Sequence, residues 1–162
     1  MPSESTYDCI IIGGGPAGLT CGIFLGRYRR RTLLIHNNRP RNYASRAIHG
    51  FLGQHGIAPA ELNRRGCEEA RAASVEICEC TAERIARVGD IFEVTTTAST
   101  FRGRRIALAY GIRDLLPDDI PDLERYYGTS VFHTIAASRK ANEQAPRGAA
   151  ERQGRTHHPA HR

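Results

Sequence analysis

Six consecutive residues near the start of the chain, Gly13-Gly14-Gly15-Pro16-Ala17-Gly18, have the types and spacing to do chemistry. They fit G-x-G-x-x-G, whose use is to hold the pyrophosphate of a dinucleotide. Gly13 would allow a tight turn, Gly15 would leave out the side chain that blocks a pyrophosphate, and Gly18 would let a following helix pack closely. A helix opening at Pro16 would aim its unpaired N–H groups and its positive end at the phosphates. The pattern also arises by chance, so its value depends on a strand before it and a helix after it.

The flanking residues supply that context. Tyr7 to Ile12 (YDCIII) is a short β-favouring run that stops at three glycines, as a buried strand entering a turn would. Ala17 to Arg30 repeats apolar residues at Leu19, Ile23 and Phe24 and closes on basic residues, which predicts a helix. Thr32 to Ile35 (TLLI) is again apolar and partly β-branched. Strand, helix and strand within about 30 residues make a βαβ unit with a right-handed crossover. Gly18, Gly22 and Gly26 fall on one helix face, and the spacing suggests either close approach of helix to sheet or ordinary packing.

Farther on, Asn37 to Gly56 reads as a long loop, and such loops in compact domains are usually functional. Pro59 to Ala73 predicts a helix with a charged outer face. The runs from VEICEC to ERIARV, IFEVTTT and RRIALAY, between Val75 and Ala109, predict an antiparallel meander packed on the parallel sheet. An acidic ribose partner would be expected at the end of the second strand, but the sequence there is Ile35-His36-Asn37-Asn38. Asn37 or Asn38 could hydrogen-bond a ribose hydroxyl, or could simply form a turn.

Other residues offer less. Cys78 and Cys80 sit two apart on an expected strand, a separation too wide for an easy disulfide, so they read as ordinary strand residues. Cys9 and Cys21 read as small buried hydrophobes. With Cys67 the cysteines number five, include no C-x-x-C, and point to a reducing compartment. His49 and His55 could titrate near neutrality, whereas His157, His158 and His161 lack a fold that would hold a metal. No G-x-S-x-G or H-E-x-x-H is present, so hydrolytic chemistry has no support.

Four segments in order resemble the flavin-dependent pyridine-nucleotide disulfide oxidoreductases, and within them the thioredoxin-reductase-like branch. They are YDCIIIGGGPAG, then RPRN followed by HGFLG between Arg39 and Gly53, RRIALAYG from Arg104 to Gly111, and LPDDIPDLERYYGTSVFH from Leu116 to His133. The resemblance implies an α/β, three-layer Rossmann-like FAD/NAD(P)-binding domain and electron transfer from NADPH through FAD to a disulfide. It implies FAD contacts at Gly13, Gly15, Pro16, Ala17, Gly18, His36, Asn37, Arg41, Asn42, His49, Gly50, Ala82, Ala109 and Gly111. Tyr110 stands where the family has a small threonine, and His36 where it often has an acid. After His133 the family runs into a C-x-x-C, where this chain reads Thr134-Ile135-Ala136-Ala137. The family then continues into an NADPH domain with a second glycine motif.

The expected organisation is therefore a partial FAD-binding domain over 1–133 and a basic tail over 134–162. That tail holds one large aliphatic residue, Ile135, and too little apolar surface to offset its ordering entropy. It also carries +4 of the formal net charge of +6, so a nucleic-acid partner inferred from charge would rest on the tail alone. A shifted reading frame would produce such an abrupt change. The 162 residues are 40% hydrophobic and 25% charged, with no apolar run of membrane-spanning length. Met1 to Asp8 carries Glu4 and Asp8 and does not resemble a secretory signal, so a cytoplasmic location is expected. Without the dithiol and the NADPH domain the chain alone is expected to turn over little or not at all. Its partners would be FAD and either a second copy or a complementary chain. A non-catalytic remnant and a basic-tail binding module are the rival classes.

Overall fold

The computed structural model describes residues 6–43, 45–113, 115–127 and 131. The chain divides into two units, Met1–Arg113 and Asp114–Arg162. The expected boundary at His133 and the whole of the tail fall outside the described residues.

The first unit opens with β1 (Cys9–Ile12), α1 (Pro16–Arg27) and β2 (Thr32–His36), the expected βαβ unit. α2 (Pro59–Ala72) and β3 (Glu76–Glu79) follow, then β4 (Ala82–Val88), β5 (Ile91–Thr96), β6 (Thr100–Gly103) and β7 (Ile106–Leu108). β1, β2, β3 and β7 form a parallel sheet in the order β3-β2-β1-β7, and β4, β5 and β6 form a separate antiparallel sheet.

The apolar runs CIII and TLLI are continuous because both faces of the parallel sheet are covered. Cys9, Ile11 and Leu34 pack with Leu19 of α1 and with Cys67 and Ala70 of α2. Their neighbours Ile10, Leu33 and Ile35 face the other way, onto Val94 and Phe101 of the antiparallel sheet. Helices, parallel sheet and antiparallel sheet are the three expected layers.

The meander differs from expectation in its membership. VEICEC supplies β3, which pairs in parallel with β2, and RRIALAY supplies β7, which pairs in parallel with β1. The third antiparallel strand is instead β6, which lies between the IFEVTTT and RRIALAY runs and pairs with β5. Runs of this length carry no periodic signal separating a parallel partner from an antiparallel one, so distant pairing decides.

Two element ends also move. α1 stops at Arg27 because Arg29 adopts φ 56°. Tyr7 lies outside β1 and bridges to Gly103, while its hydroxyl donates to Glu76 Oε2 at 2.7 Å and its ring carries the Arg31 guanidinium at 4.4 Å.

The three α1 glycines separate on contact. A Cβ at Gly18 would meet the Gly13 carbonyl oxygen, and one at Gly26 the Ala73 carbonyl oxygen. Gly26 therefore marks a close approach to the end of α2 rather than to the sheet. At Gly22 the added carbon would lie 3.5 Å from Ile11 Cδ1 and 3.6 Å from Val75 Cγ1, ordinary contact. Gly22→Ala is accordingly expected to stabilise the protein by about 0.5–1 kcal/mol through helix propensity. Urea unfolding checks this, and a lowered midpoint would contradict the packing described.

In the second unit α3 (Leu123–Tyr126) follows Asp122 at φ 59°, and the Val131 N–H donates to the Tyr126 carbonyl at 3.0 Å. No helix among the described residues is long and apolar enough to cross a membrane.

Candidate functional site

The parallel strands all end on one edge, and the glycine turn lies there, where the sheet order passes from β2 through β1 to β7. In open α/β sheets ligands bind at such a switch point, outside the carboxyl ends of the strands. The turn is held from both sides. The Gly13 N–H donates to the Ile35 carbonyl at 2.8 Å, and the Ala109 N–H donates to the Ile12 carbonyl at 2.8 Å. Gly13 has φ 115°, and a Cβ there would run into the backbone of Ala109 and Tyr110. The turn thus requires glycine at 13 for conformation and at 18 for packing.

Gly15 is different. It caps α1 in extended conformation, φ −75° and ψ 178°, and a Cβ there would meet nothing within 4 Å. No side chain caps the helix, its first turn holds no acidic residue, and Pro16 opens it. The helix end therefore presents its positive pole to open space, the surroundings that an anion needs.

α2 adds a contact that the sequence reading missed. Asn63 Nδ2 donates to the Gly14 carbonyl at 2.7 Å, tying the turn to the second helix. The signal was a polar residue on the helix stripe of Pro59, Cys67 and Ala70, which is otherwise buried.

His36 borders the turn on its other side, its ring against Gly14, where an added Cβ would lie 2.7 Å from the ring carbon Cγ. Burial pushes its pKa below the ordinary histidine value, Glu79 opposes this, and Arg71 adds to the lowering. A histidine depressed on folding stabilises fully above its unfolded pKa of about 6.5, and that contribution is lost as pH falls toward the folded value. His36→Gln should thus flatten the decline in melting temperature between about pH 7 and pH 5.5 relative to the unmodified protein. Parallel declines would contradict it.

Beside the turn, at the ends of β2 and β3, a polar cleft of 390 Å³ is lined by Asn37, Arg39, Glu79, Cys80, Thr81 and Thr97. The Asn37 side-chain oxygen accepts the Arg39 N–H at 3.2 Å, and Asn38 takes φ 54°, so Asn38 is the turn residue and Asn37 the cleft residue. Glu79 places a carboxylate here from β3, across from His36 in the register, where β2 itself offers none. The Thr81 N–H donates to Thr97 Oγ1 at 3.2 Å, and the Thr97 N–H donates to the Thr81 carbonyl at 3.0 Å, fixing one wall. Ala82 pairs with Thr96 just beyond, and the ladder slips between Ala82 and Arg84, leaving Glu83 as the bulge residue.

Cys78 and Cys80 are joined by a disulfide, which corrects the reading of them as ordinary strand residues. β3 stops at Glu79 and the chain bends at Cys80, so the Cα atoms lie 5.6 Å apart, within disulfide reach. Cys9 is buried as expected, whereas Cys21 is half-buried.

The candidates therefore fall into groups. Gly13, Gly15, Pro16, Ala17, Gly18, His36 and Ala109 come together around the turn, and Asn37 lies in the cleft with Ala82 just past its wall. Gly111, at φ 68°, follows Tyr110, which is exposed. Arg41, Asn42, His49 and Gly50 belong to the loop between β2 and α2 and do not line the cleft. In that loop the His49 and His55 rings meet edge to face at 5.0 Å, and Ile48 bridges to Ile57.

The sequence pattern of the pyridine nucleotide-disulphide oxidoreductases matches residues 7–151. The chain belongs to this family. Among curated relatives, a probable thioredoxin reductase of Arthroderma benhamiae is 32% identical over 80% of this chain and 34% of its own length. The thioredoxin reductase tcpT of Claviceps purpurea is 31% identical over 83% of this chain and 43% of its own. Among solved structures, a putative thioredoxin reductase TrxB from Bacillus anthracis superposes with TM-score 0.71 at 36% identity, covering 75% of this chain and 42% of that one. HlmI superposes with TM-score 0.76 at 32% identity, covering 83% and 43%. The chain is thus a thioredoxin-reductase-like domain of the family and spans less than half the length of these relatives.

Proposed function

We propose that this chain holds FAD, with the pyrophosphate at the N-terminus of α1 and the adenosine end in the cleft beside Asn37. In a whole protein it would be the flavin-holding part of a path from NADPH through FAD to a disulfide. The observation that carries the reading is the open space before Gly15, between glycines that cannot be substituted without collision. The donor set agrees: helix N–H groups for the phosphates, then an amide, hydroxyls and a carboxylate for a ribose and base. Glu79 would serve the ribose hydroxyls that a family acid at position 36 would take.

FAD when bound would supply the redox chemistry, and this chain's residues would bind and orient it. The 162 residues hold no C-x-x-C, so on their own they are expected to show no NADPH-dependent disulfide reduction. A second copy or another chain would be the complement in turnover. The test is the visible absorption of the purified chain after incubation with FAD and desalting. A retained flavin band supports the reading, and a colourless protein contradicts it.

A further inference from the structure

The cysteine pair at the cleft has no part in the reading above. Cys80 is 7% exposed, packs with Val94 and Ile35 on the inner face, and yet lines the cleft. Cys78 belongs to β3 and is in register with Ile35 of β2, while Cys80 precedes Thr81, which is tied to Thr97. The Cys78–Cys80 bond therefore clamps the exit of β3 to the start of the wall that β4 and β5 continue. The remaining cysteines, Cys9, Cys21 and Cys67, are free and lie on the helix side of the sheet.

We propose that Cys78–Cys80 is a reversible thiol–disulfide site, opened by a small thiol entering the cleft, and that opening it loosens the cleft wall. Two features argue for this over a fixed cross-link. The ring closed by the bond spans only three residues, so it adds little loop-closure stabilisation. Cys80 also lines an open polar cleft of 390 Å³, large enough to admit a small thiol, and exchange requires such access.

The exchange balances as follows. A thiolate attacks one sulfur of the pair, forms a mixed disulfide and releases the other cysteine as a thiolate. A second thiol then displaces the first, so two small thiols become one disulfide. The protein gains two electrons, and two protons end on Cys78 and Cys80. Oxidation by the disulfide of the same small thiol reverses both steps.

The test uses the full chain and does not depend on what the cleft binds. Native protein is incubated with or without glutathione, then denatured and alkylated with N-ethylmaleimide. Mass spectrometry should find three labels without glutathione, on Cys9, Cys21 and Cys67, and five with it. Adding glutathione disulfide should restore three. Five labels before reduction, or three after native incubation, would overturn the proposal. Amide hydrogen exchange from Glu79 to Ala82 and from Thr95 to Ser99 should rise roughly threefold or more on reduction. Cys80→Ser, or Cys78→Ser if the first folds poorly, should show the fast rate with and without glutathione. Exchange unchanged by reduction in the unmodified chain would overturn the loosening.

Discussion

Gly15→Thr is expected to leave the unliganded protein as stable as before while lowering FAD affinity about 100-fold, a loss near 2.7 kcal/mol. The two effects separate because Gly15 is required by the ligand and not by the fold. Its φ of −75° and ψ of 178° suit any residue, and an added Cβ meets nothing within 4 Å. Threonine and glycine are comparable as helix N-caps. The new methyl and hydroxyl, however, would stand where the pyrophosphate is proposed to lie, and the hydroxyl would compete for the same helix N–H groups. Urea unfolding and flavin fluorescence titration of both proteins check it. Equal affinities would place the phosphates elsewhere.

Gly18→Ala should do the reverse and lower stability by about 2–3 kcal/mol, as overpacking between fixed backbones does. The added carbon meets the Gly13 carbonyl oxygen, and Gly13 has no room to yield. It is bonded to Ile35, and its other side faces the Ala109 backbone. The gain in helix propensity, about 1 kcal/mol, does not offset this. The melting temperature should fall by roughly 5–10 °C, with flavin affinity falling alongside it. A variant melting with the unmodified protein would mean that α1 sits farther from the turn than described.

The contrast between Gly15 and Gly18 shows what could be read from the sequence. Their spacing between an apolar run and an amphipathic one predicted the β1-α1-β2 unit, because strand, turn and helix are neighbours in the chain and local pattern determines them. The helix from Pro59 was legible for the same reason. The partners of the later strands were not. β7 returns to β1 across most of the unit, and β3 joins β2 after the α2 excursion, pairings that no local period records. Asn63, Glu79 and the Cys78–Cys80 bond were missed on the same ground. Each acquires its role from a residue on another element, or from a bend ending a strand one residue earlier than the pattern suggests.

The cleft and the turn together make a claim about which part of a flavin nucleotide is recognised. FAD has a pyrophosphate and an adenosine for these two places, ADP has both without the flavin, and riboflavin has neither. Competition titrations followed by flavin fluorescence would test this most directly. ADP is expected to displace FAD, and riboflavin is expected to bind far more weakly than either. Riboflavin binding as tightly as FAD, with ADP unable to compete, would contradict recognition through the glycine turn.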